Sequence, residues 1–396
     1  MRNIQEDENM ATVYLCIGTQ KTGTTSLQYF MRANEDVLKK QSYSYPYMEL
    51  GMSDAFYKNR NAHFLVYHSS DMEEERQKKQ DAYRILGELA KEYDNIVLSD
   101  EIIWYQCNNI ENFWQDACNE FQKINCTLKV VVYLRRQDSI IQSLWNQKVK
   151  GLPGITEDFQ TYFQEEMFAY FPLDYYEQLQ KIASFVGKEN ILVRVYENGQ
   201  FGGVEHNLIS DYLETLGVEL NDEFRMPEET LNHGLAGNFV EMKRLLNGIK
   251  EYQKMENFMR MPMTYASDHH LEHNPEGKTN MFTYEEQMDF LKRYEESNAR
   301  TAREFLGRKD GILFREPIPK LPVWEVNHDE MYQDLFIFMV EMFCAQEKKI
   351  SNLTQKVNQM KKQIARIENS ENILGTSDSL IARGYRKAKN ILKNKE

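Results

Sequence analysis

Four short apolar runs constrain the fold of this chain more than any other feature of its sequence. They are Thr12–Ile17, Asn95–Leu98, Lys129–Leu134 and Ile191–Val195. Each is rich in β-branched or aromatic residues, which is typical of strands buried on both faces of a parallel sheet. Helical patterns separate the runs, for example at Ser26–Lys40, Glu73–Tyr93 and Ser139–Lys150. The alternation of strand and helix predicts an α/β fold.

The composition indicates a folded, acidic protein. Of the 396 residues, 41% are hydrophobic and 12% aromatic, which suffices for one large α/β domain with appendages or for two ordinary domains. Global disorder is thereby excluded. Lys and Arg number 48 against 61 Asp and Glu, a net charge of −13. We expect no nucleic-acid partner, because binding a phosphate backbone needs clustered positive charge.

Three features bear on the cellular compartment. The five cysteines include no CxxC pair, so neither a zinc site nor a disulfide scaffold is indicated. Residues 1–10 are polar and acidic, without an apolar segment of signal-peptide length. The longest apolar run, Leu335–Ala345, contains Glu341 and is too short to span a bilayer. We therefore expect a cytoplasmic protein.

The pattern changes after a proline-bearing stretch at Glu316–Val323, which predicts a main domain at 1–316 and a linker at 317–328. Over 329–372, apolar residues recur on alternating three- and four-residue steps. They are Phe336, Met339, Phe343, Ile350, Leu353, Val357, Met360, Ile364 and Ile367, with Gln346 in the one polar slot. This seam predicts a coiled coil and a homo-oligomer. The alternative is a long amphipathic helix folded back on its own domain.

The final segment, 373–396, is a basic amphipathic tail. Between Leu380 and Glu396 it carries six Lys and Arg residues against one acidic residue, and apolar residues recur at helical spacing. A helix of this kind can bind an anionic membrane surface, which would place the protein at the inner face of a membrane. A solvated, frayed tail fits the same pattern equally well.

The strongest functional signal is the loop after the first strand, Ile17–Gln28, which reads IGTQKTGTTSLQ. A glycine-containing turn that opens a helix lets backbone N–H groups approach an anion, and the helix dipole adds to the attraction. Side chains of Lys21, Thr22, Thr24, Thr25 and Ser26 supply a positive charge and four hydroxyls. Gly18 and Gly23 have Walker A spacing, but Thr24 stands where that motif has lysine. The loop therefore disfavours a Mg²⁺-dependent nucleotide kinase.

At these residues the chain resembles the sulfotransferase superfamily, in particular bacterial carbohydrate sulfotransferases. Their donor is 3′-phosphoadenosine 5′-phosphosulfate (PAPS), and their 5′-phosphosulfate loop reads K-x-G-T-T-S/T. Arg135 and Ser143 have the family's second spacing, a strand-end arginine and a serine eight residues later that bind the 3′-phosphate. Gln137 departs from the proline of many relatives. The resemblance implies a P-loop-like fold of three layers, with a parallel sheet between helices.

The resemblance also implies roles for single residues. Tyr196, in a Tyr-Glu pair after the fourth apolar run, would lie near the adenine ring. Lys21 would stabilise negative charge on the bridging oxygen of the donor as the nucleotide product, adenosine 3′,5′-bisphosphate (PAP), departs. No metal is expected. The family's general base is a His or a Glu, which leaves two candidates: His63, in a loop resembling the family's histidine loop, and Glu101, at a strand end.

Two late segments carry weaker signals. His269 and His273 have i, i+4 spacing in Asp268–His273, but the HExxH order is missing and Asn, Pro and Gly follow. We interpret this segment as a mobile loop that contacts the acceptor. Asn298, Arg300 and Arg303 belong to a helix resembling one in the bacterial enzymes, where Arg300 would reach the nucleotide or form a surface ion pair.

The expected activity is transfer of a sulfuryl group from PAPS to a hydroxyl of a glycan or glycoconjugate. One alternative is a non-catalytic nucleotide-binding scaffold whose output is the coiled coil. A kinase with a variant phosphate loop is the other.

Overall fold

The computed structural model describes residues 10–46, 59–227, 235, 237–273 and 279–374. Within these residues the strands are β1 (Ala11–Cys16), β2 (Tyr43–Ser44), β3 (Asn95–Ser99), β4 (Cys126–Leu134) and β5 (Ile191–Val195). They form one sheet in the order β2-β3-β1-β4-β5, and every pair of neighbours is parallel. The predicted α/β fold with a parallel sheet is confirmed.

The helices follow in chain order. They are α1 (Thr24–Ala33), α2 (Glu35–Lys40), α3 (Met72–Leu89), α4 (Ile103–Gln106), α5 (Phe113–Lys123), α6 (Gln137–Lys150), α7 (Phe159–Gln164), α8 (Tyr175–Val186), α9 (Leu208–Leu216), α10 (Gly237–Asn247), α11 (Lys250–His273), α12 (Tyr284–Lys292), α13 (Glu295–Leu306) and α14 (His328–Leu374). Single 3₁₀ turns occur at His63–Leu65, Lys188–Asn190 and Asn198–Gln200.

Helices cover both faces of the sheet because the strands are apolar on both faces. Along β1, Val13 and Leu15 enter the larger core cluster, whereas Tyr14 and Cys16 enter the smaller one. Helices α5, α6 and α8 pack on the larger side, and α1, α2 and α9 pack on the smaller. Successive residues of a strand point to opposite faces, so a strand buried on both sides reads as a continuous apolar run.

Two predicted boundaries are wrong for local reasons. The single helix expected at Ser26–Lys40 is two helices, because Asn34 leaves the helical conformation and its side-chain amide donates to the carbonyl oxygen of Phe30 (2.9 Å). The edge strand β2 was not predicted, since a pair of residues is too short to show an apolar pattern. The fourth strand begins earlier than expected, at Cys126.

The mobile loop predicted at Asp268–His273 is also wrong, because these residues form the end of α11. His270 is buried there, and its Nδ1 lies 2.7 Å from Oδ1 of Asp334 on α14. The side-chain amide of Asn238, on α10, donates to the other oxygen of Asp334 (2.9 Å). These hydrogen bonds join α10, α11 and the start of α14, so Asp268–His273 is held in place as part of a helix.

The segment expected to be a linker is attached to the domain. The N–H of Asn280 donates to the carbonyl of Pro322 (3.0 Å), and the N–H of Trp324 donates to the carbonyl of Asn280 (2.7 Å). Beyond it α14 runs for 47 residues, about 70 Å at the usual helical rise. Of the basic tail predicted at 373–396, residues 375–396 lie outside the described part of the chain. In the described part of the chain no helix combines the length and apolarity needed to cross a bilayer.

Candidate functional site

A cavity of about 1790 Å³ opens at the carboxyl ends of the strands. The loops that follow β1, β3, β4 and β5 each contribute to its wall, together with α6, α11 and the segment around Trp324. In parallel α/β sheets this edge is where ligands bind, since the loops and helix N-termini converge there. The predicted site residues can therefore be placed relative to one wall.

The β1–α1 loop has a backbone that wraps around the space in front of α1. Gly18, Lys21 and Gly23 have positive φ angles of 112°, 67° and 73°. Gly23 is the residue that precedes α1, and a Cβ there would lie 2.4 Å from Cδ2 of Leu208. Glycine is thus favoured at position 23 by the left-handed backbone, and a larger residue there would displace the side chain of Leu208 on α9. Thr24, Thr25 and Ser26, the first residues of α1, line the cavity, and the N–H groups of a first helical turn have no partner within the helix.

Most of the predicted loop residues lie on the wall. Lys21, Gly23, Thr24, Thr25 and Ser26 all line the cavity. Thr22 does not: its side chain is fully buried, and its hydroxyl donates to the carbonyl of Thr19 (2.6 Å). Its role is to hold the loop in shape, and the structure does not bring it into the group of ligand-facing donors.

The ammonium of Lys21 is largely buried and lies near two other positively charged side chains. The pKa of its ammonium is lowered to about 8, chiefly by burial; the charges of Lys150 and Arg135 act in the same direction, and Glu101 opposes them. Desolvation and like charges both disfavour the protonated form. A bound anion would oppose these effects by stabilising the ammonium, so the position of Lys21 favours a negatively charged ligand.

Arg135 extends from the end of β4 toward the β1–α1 loop. Its Nη1 donates to the carbonyl oxygen of Lys21 (2.7 Å), and its guanidinium lies 5.6 Å from the ring centroid of Tyr196. Tyr175 donates its hydroxyl to the carbonyl of Arg135, which fixes the backbone. Burial lowers the pKa of Arg135, although a guanidinium stays charged at any ordinary pH. Two of the predicted donor-binding residues, Arg135 and Tyr196, are thus brought together with the loop.

Helix α6 presents a polar face to the cavity. Ser143 lies on it as predicted, and Ser139, Gln147 and Lys150 join it at helical spacing. Ser139, Gln147 and Lys150 are not among the predicted site residues, although the four residues of this face follow a helical spacing of i, i+4, i+8 and i+11 in the sequence. Of these three residues Lys150 has the largest effect on the site, because it adds a positive charge near Lys21.

Glu101 is held at the end of β3 by two side chains. Arg60 forms an ion pair with one carboxylate oxygen, and the side-chain amide of Gln28 donates to the other (3.0 Å). Glu101 and Arg60 both line the cavity. A carboxylate has about four lone-pair sites, so these partners leave acceptor capacity on Glu101.

His63 lies behind this pair and is not on the cavity wall. Its Nδ1 is 2.8 Å from Oδ2 of Asp100, which is fully buried. The other oxygen of Asp100 accepts from the N–H of Ile102 (3.0 Å) and lies 3.9 Å from Arg60. The structure therefore joins both candidate bases in one charged cluster, with Glu101 toward the ligand space and His63 away from it.

The charges of the wall differ sharply from those of the whole chain. Among the described residues that line the cavity, six side chains are cationic and one is a carboxylate: Lys21, Arg60, Arg135, Lys148, Lys150 and Arg260 against Glu101. The chain as a whole carries a net charge of −13. Concentrating positive charge in a cleft focuses the field there and attracts anions.

The remaining predicted residues, Asn298, Arg300 and Arg303, do not line the cavity. Asn298 and Gln137 exchange side-chain hydrogen bonds of 2.8 and 3.1 Å, so the side chain of Gln137 is fixed by a polar contact. Arg300 stacks on Tyr176 at 3.7 Å and does not line the cavity, nor does Arg303. Over the residues that the structure describes, no cluster of three or more His, Cys, Asp or Glu side chains could hold a metal ion.

Fold and site together define an α/β protein with an electropositive cavity at the carboxyl edge of its sheet. The chain is similar to an uncharacterized protein of Archaeoglobus fulgidus, at 28% identity over 267 residues that cover 64% of this chain and 68% of the archaeal one. No protein-family model matches the chain. No solved structure matches it either.

Proposed function

We propose that this protein is a PAPS-dependent sulfotransferase that acts on a hydroxyl of a glycan or glycoconjugate. The observation that carries the proposal is the junction of Arg135 with the β1–α1 loop, where Nη1 donates to the carbonyl of Lys21 (2.7 Å). This contact places the two cations of two separate motifs on one wall. A nucleotide with phosphate groups at both its 5′ and 3′ positions matches such a pair.

The donor would bind along the sheet edge. The 5′-phosphosulfate would bind to Lys21, to the N–H groups at the start of α1 and to the hydroxyls of Thr24 and Thr25. The 3′-phosphate would take the fork of Arg135 and the hydroxyl of Ser143. Tyr196, beside Arg135, offers an aromatic face to the adenine ring. In this arrangement the fold is P-loop-like in its use of the first loop.

The transfer itself needs alignment and charge stabilisation. The acceptor oxygen attacks sulfur in line, a new O–S bond forms, and the bond from sulfur to the bridging oxygen of the 5′-phosphate breaks. The electron pair of that bond stays on the bridging oxygen of PAP, where the ammonium of Lys21 neutralises the developing charge. The proton of the acceptor hydroxyl passes to a base on the protein.

Glu101 is the base that the geometry favours, because it lines the cavity whereas His63 does not. We assign His63 a positioning role through Asp100 and Arg60, which in turn holds Glu101. A His–Asp pair of this kind resists a change of tautomer and keeps the cluster rigid.

Binding and transfer test the proposal directly. The full chain is titrated with PAP by calorimetry and is assayed with radiolabelled PAPS and a glycan panel, in the presence and absence of a chelator. We expect PAP to bind and label to pass to a glycan with the chelator present. PAP binding without any transfer would instead support a nucleotide-binding scaffold, and Mg²⁺-dependent phosphorylation from ATP would support a kinase.

The exposed seam of α14 supports a homo-oligomer. The helix packs on α11 with a different face, which includes Asp334 and Phe338. Eight of the nine seam residues remain 36–67% exposed, namely Phe336, Met339, Phe343, Ile350, Leu353, Val357, Met360 and Ile367. An apolar stripe of this length calls for a partner, and its heptad period fits a second copy of the same helix. We propose a cytoplasmic oligomer joined by this coiled coil.

A further inference from the structure

The cavity is larger than the proposed donor needs. Its volume of about 1790 Å³ exceeds the roughly 300–1,000 Å³ of a pocket for one small ligand. Apart from Arg60, which pairs with Glu101, the cations of its wall fall into two groups. Lys21 and Arg135 lie at the sheet edge, whereas Lys148, Lys150 and Arg260 lie at the end of α6 and on α11. In the proposed arrangement of the donor nucleotide, the second group does not contact the donor.

Among the described residues, the charges around this second group are mainly positive. Burial lowers the pKa of Lys150, and the neighbouring charge of Arg260 lowers it further, while Asp268 offsets only part of the effect. The one carboxylate that the described residues contribute to the wall, Glu101, is engaged by Arg60. Like charges gathered in a partly buried site favour an anion from outside.

Aromatic side chains accompany these cations. The ammonium of Lys148 lies 4.6 Å from the ring centroid of Tyr170, which meets Tyr105 edge-on at 5.5 Å. Tyr105, Tyr170 and Trp324 all line the cavity. Rings that have an apolar face and a polar edge suit the amphipathic surface of a sugar, and charged groups beside them select an acidic one.

On the basis of the proposed sulfotransferase function, we infer that this half of the cavity is the acceptor subsite and that it takes a saccharide bearing an anionic group, a carboxylate or a phosphate. Arg260 and Lys148 would hold the anionic group, and Tyr170 would pack on a ring. Lys150 is near enough to Lys21 to lower its pKa, so the subsite begins beside the point of transfer. The sulfated hydroxyl therefore belongs to the acidic sugar or to its neighbour.

Calorimetry on the full chain tests this with matched probes. Tetragalacturonate is compared with its full methyl ester, and a singly phosphorylated maltotetraose with maltotetraose, each with PAP present and absent. The test variant is Lys148→Gln/Arg260→Gln. The control, Lys254→Gln/Lys292→Gln, removes the same two charges from positions on α11 and α12 that do not line the cavity.

We expect at least one anionic saccharide to bind about tenfold more tightly than its neutral counterpart. The test variant should lose that preference and keep its affinity for PAP, and the control should keep both. Equal affinity of anionic and neutral probes, no binding of either anionic probe, or an unchanged preference in the test variant would overturn the inference. Failure to bind PAP would overturn the sulfotransferase proposal separately, because the titrations without PAP still decide the acceptor subsite.

Discussion

Nη1 of Arg135 lies 2.7 Å from the carbonyl oxygen of Lys21, so the end of β4 is bonded directly to the loop that follows β1. The two residues are 114 positions apart in the chain, and each belongs to a different motif. If the proposed nucleotide binds here, one side chain would act on both of its ends: Arg135 would bind the 3′-phosphate and would support the loop proposed to bind the 5′ end.

Replacing Arg135 should therefore weaken PAP binding by more than the loss of a single surface charge. Hydrogen bonds to charged groups contribute about 1.5–3 kcal/mol, so Arg135→Gln should raise the Kd for PAP by roughly 10- to 150-fold. Arg135→Lys should rescue little, because an ammonium cannot form the bidentate fork. Calorimetry measures both, with Arg84→Gln on the exposed face of α3 as the control. Equal Kd values for the Arg135→Gln variant and the parent chain would contradict the assignment.

The lowered pKa of Lys21 predicts a pH dependence. In the free protein this pKa is about 8, chiefly because of burial. Below that pH the ammonium is charged and can bind the phosphosulfate; above it the charge is lost. We expect kcat/KM for PAPS to fall as the pH rises through about 8, since kcat/KM reports groups of the free enzyme.

The matched variant for this pH profile is Lys21→Arg. A guanidinium stays protonated up to about pH 12, so the decline near pH 8 should disappear even if the maximal rate is lower. The profile is measured at constant ionic strength. A decline at the same pH in the Lys21→Arg variant would show that another group titrates, and would remove Lys21 from this explanation.

The positions of Glu101 and His63 predict an order of importance. Glu101→Gln should reduce kcat by about 10²–10⁴-fold, the usual contribution of a general base, with little change in PAP affinity. His63→Asn keeps a donor for Asp100 and should reduce kcat by only about tenfold, a fraction of that contribution. Single-turnover transfer measures both rates. A larger loss in the His63→Asn variant would reverse the assignment and make His63 the base.

The sheet was predictable from the sequence because its strands are buried on both faces, and runs such as Ile191–Val195 carry that fact in their composition. The β1–α1 loop was predictable as part of the candidate site because its glycines and hydroxyls are close together in the chain. The side of the wall that each residue faces was not predictable. Thr22 carries a hydroxyl and lies in the predicted loop, but this hydroxyl donates a hydrogen bond to the carbonyl of Thr19.

Pairings across the fold were also beyond the sequence. Arg60 and Glu101 are 41 residues apart, and nothing in either segment indicates an ion pair. The same holds for His270 and Asp334, separated by 64 residues, whose contact fixes a segment that looks like a loop. Local patterns record which face of an element is buried, whereas these contacts depend on how distant elements are arranged.

The seam of α14 gives the last prediction. Leu353 and Val357 are 53% and 42% exposed in the single chain, and in a coiled coil both would be buried against the partner helix. Leu353→Asp/Val357→Asp should therefore convert an oligomer to a monomer at micromolar concentration, because buried, unpaired carboxylates strongly oppose association. Thr354→Asp/Asn358→Asp adds the same charge one position away from the seam and should leave the oligomer intact. Sedimentation velocity distinguishes the two variants.

PAP binding should be the same in both variants, since the cavity lies at the sheet edge and none of these four residues lines it. A monomeric parent chain would favour a helix without a partner over the coiled coil.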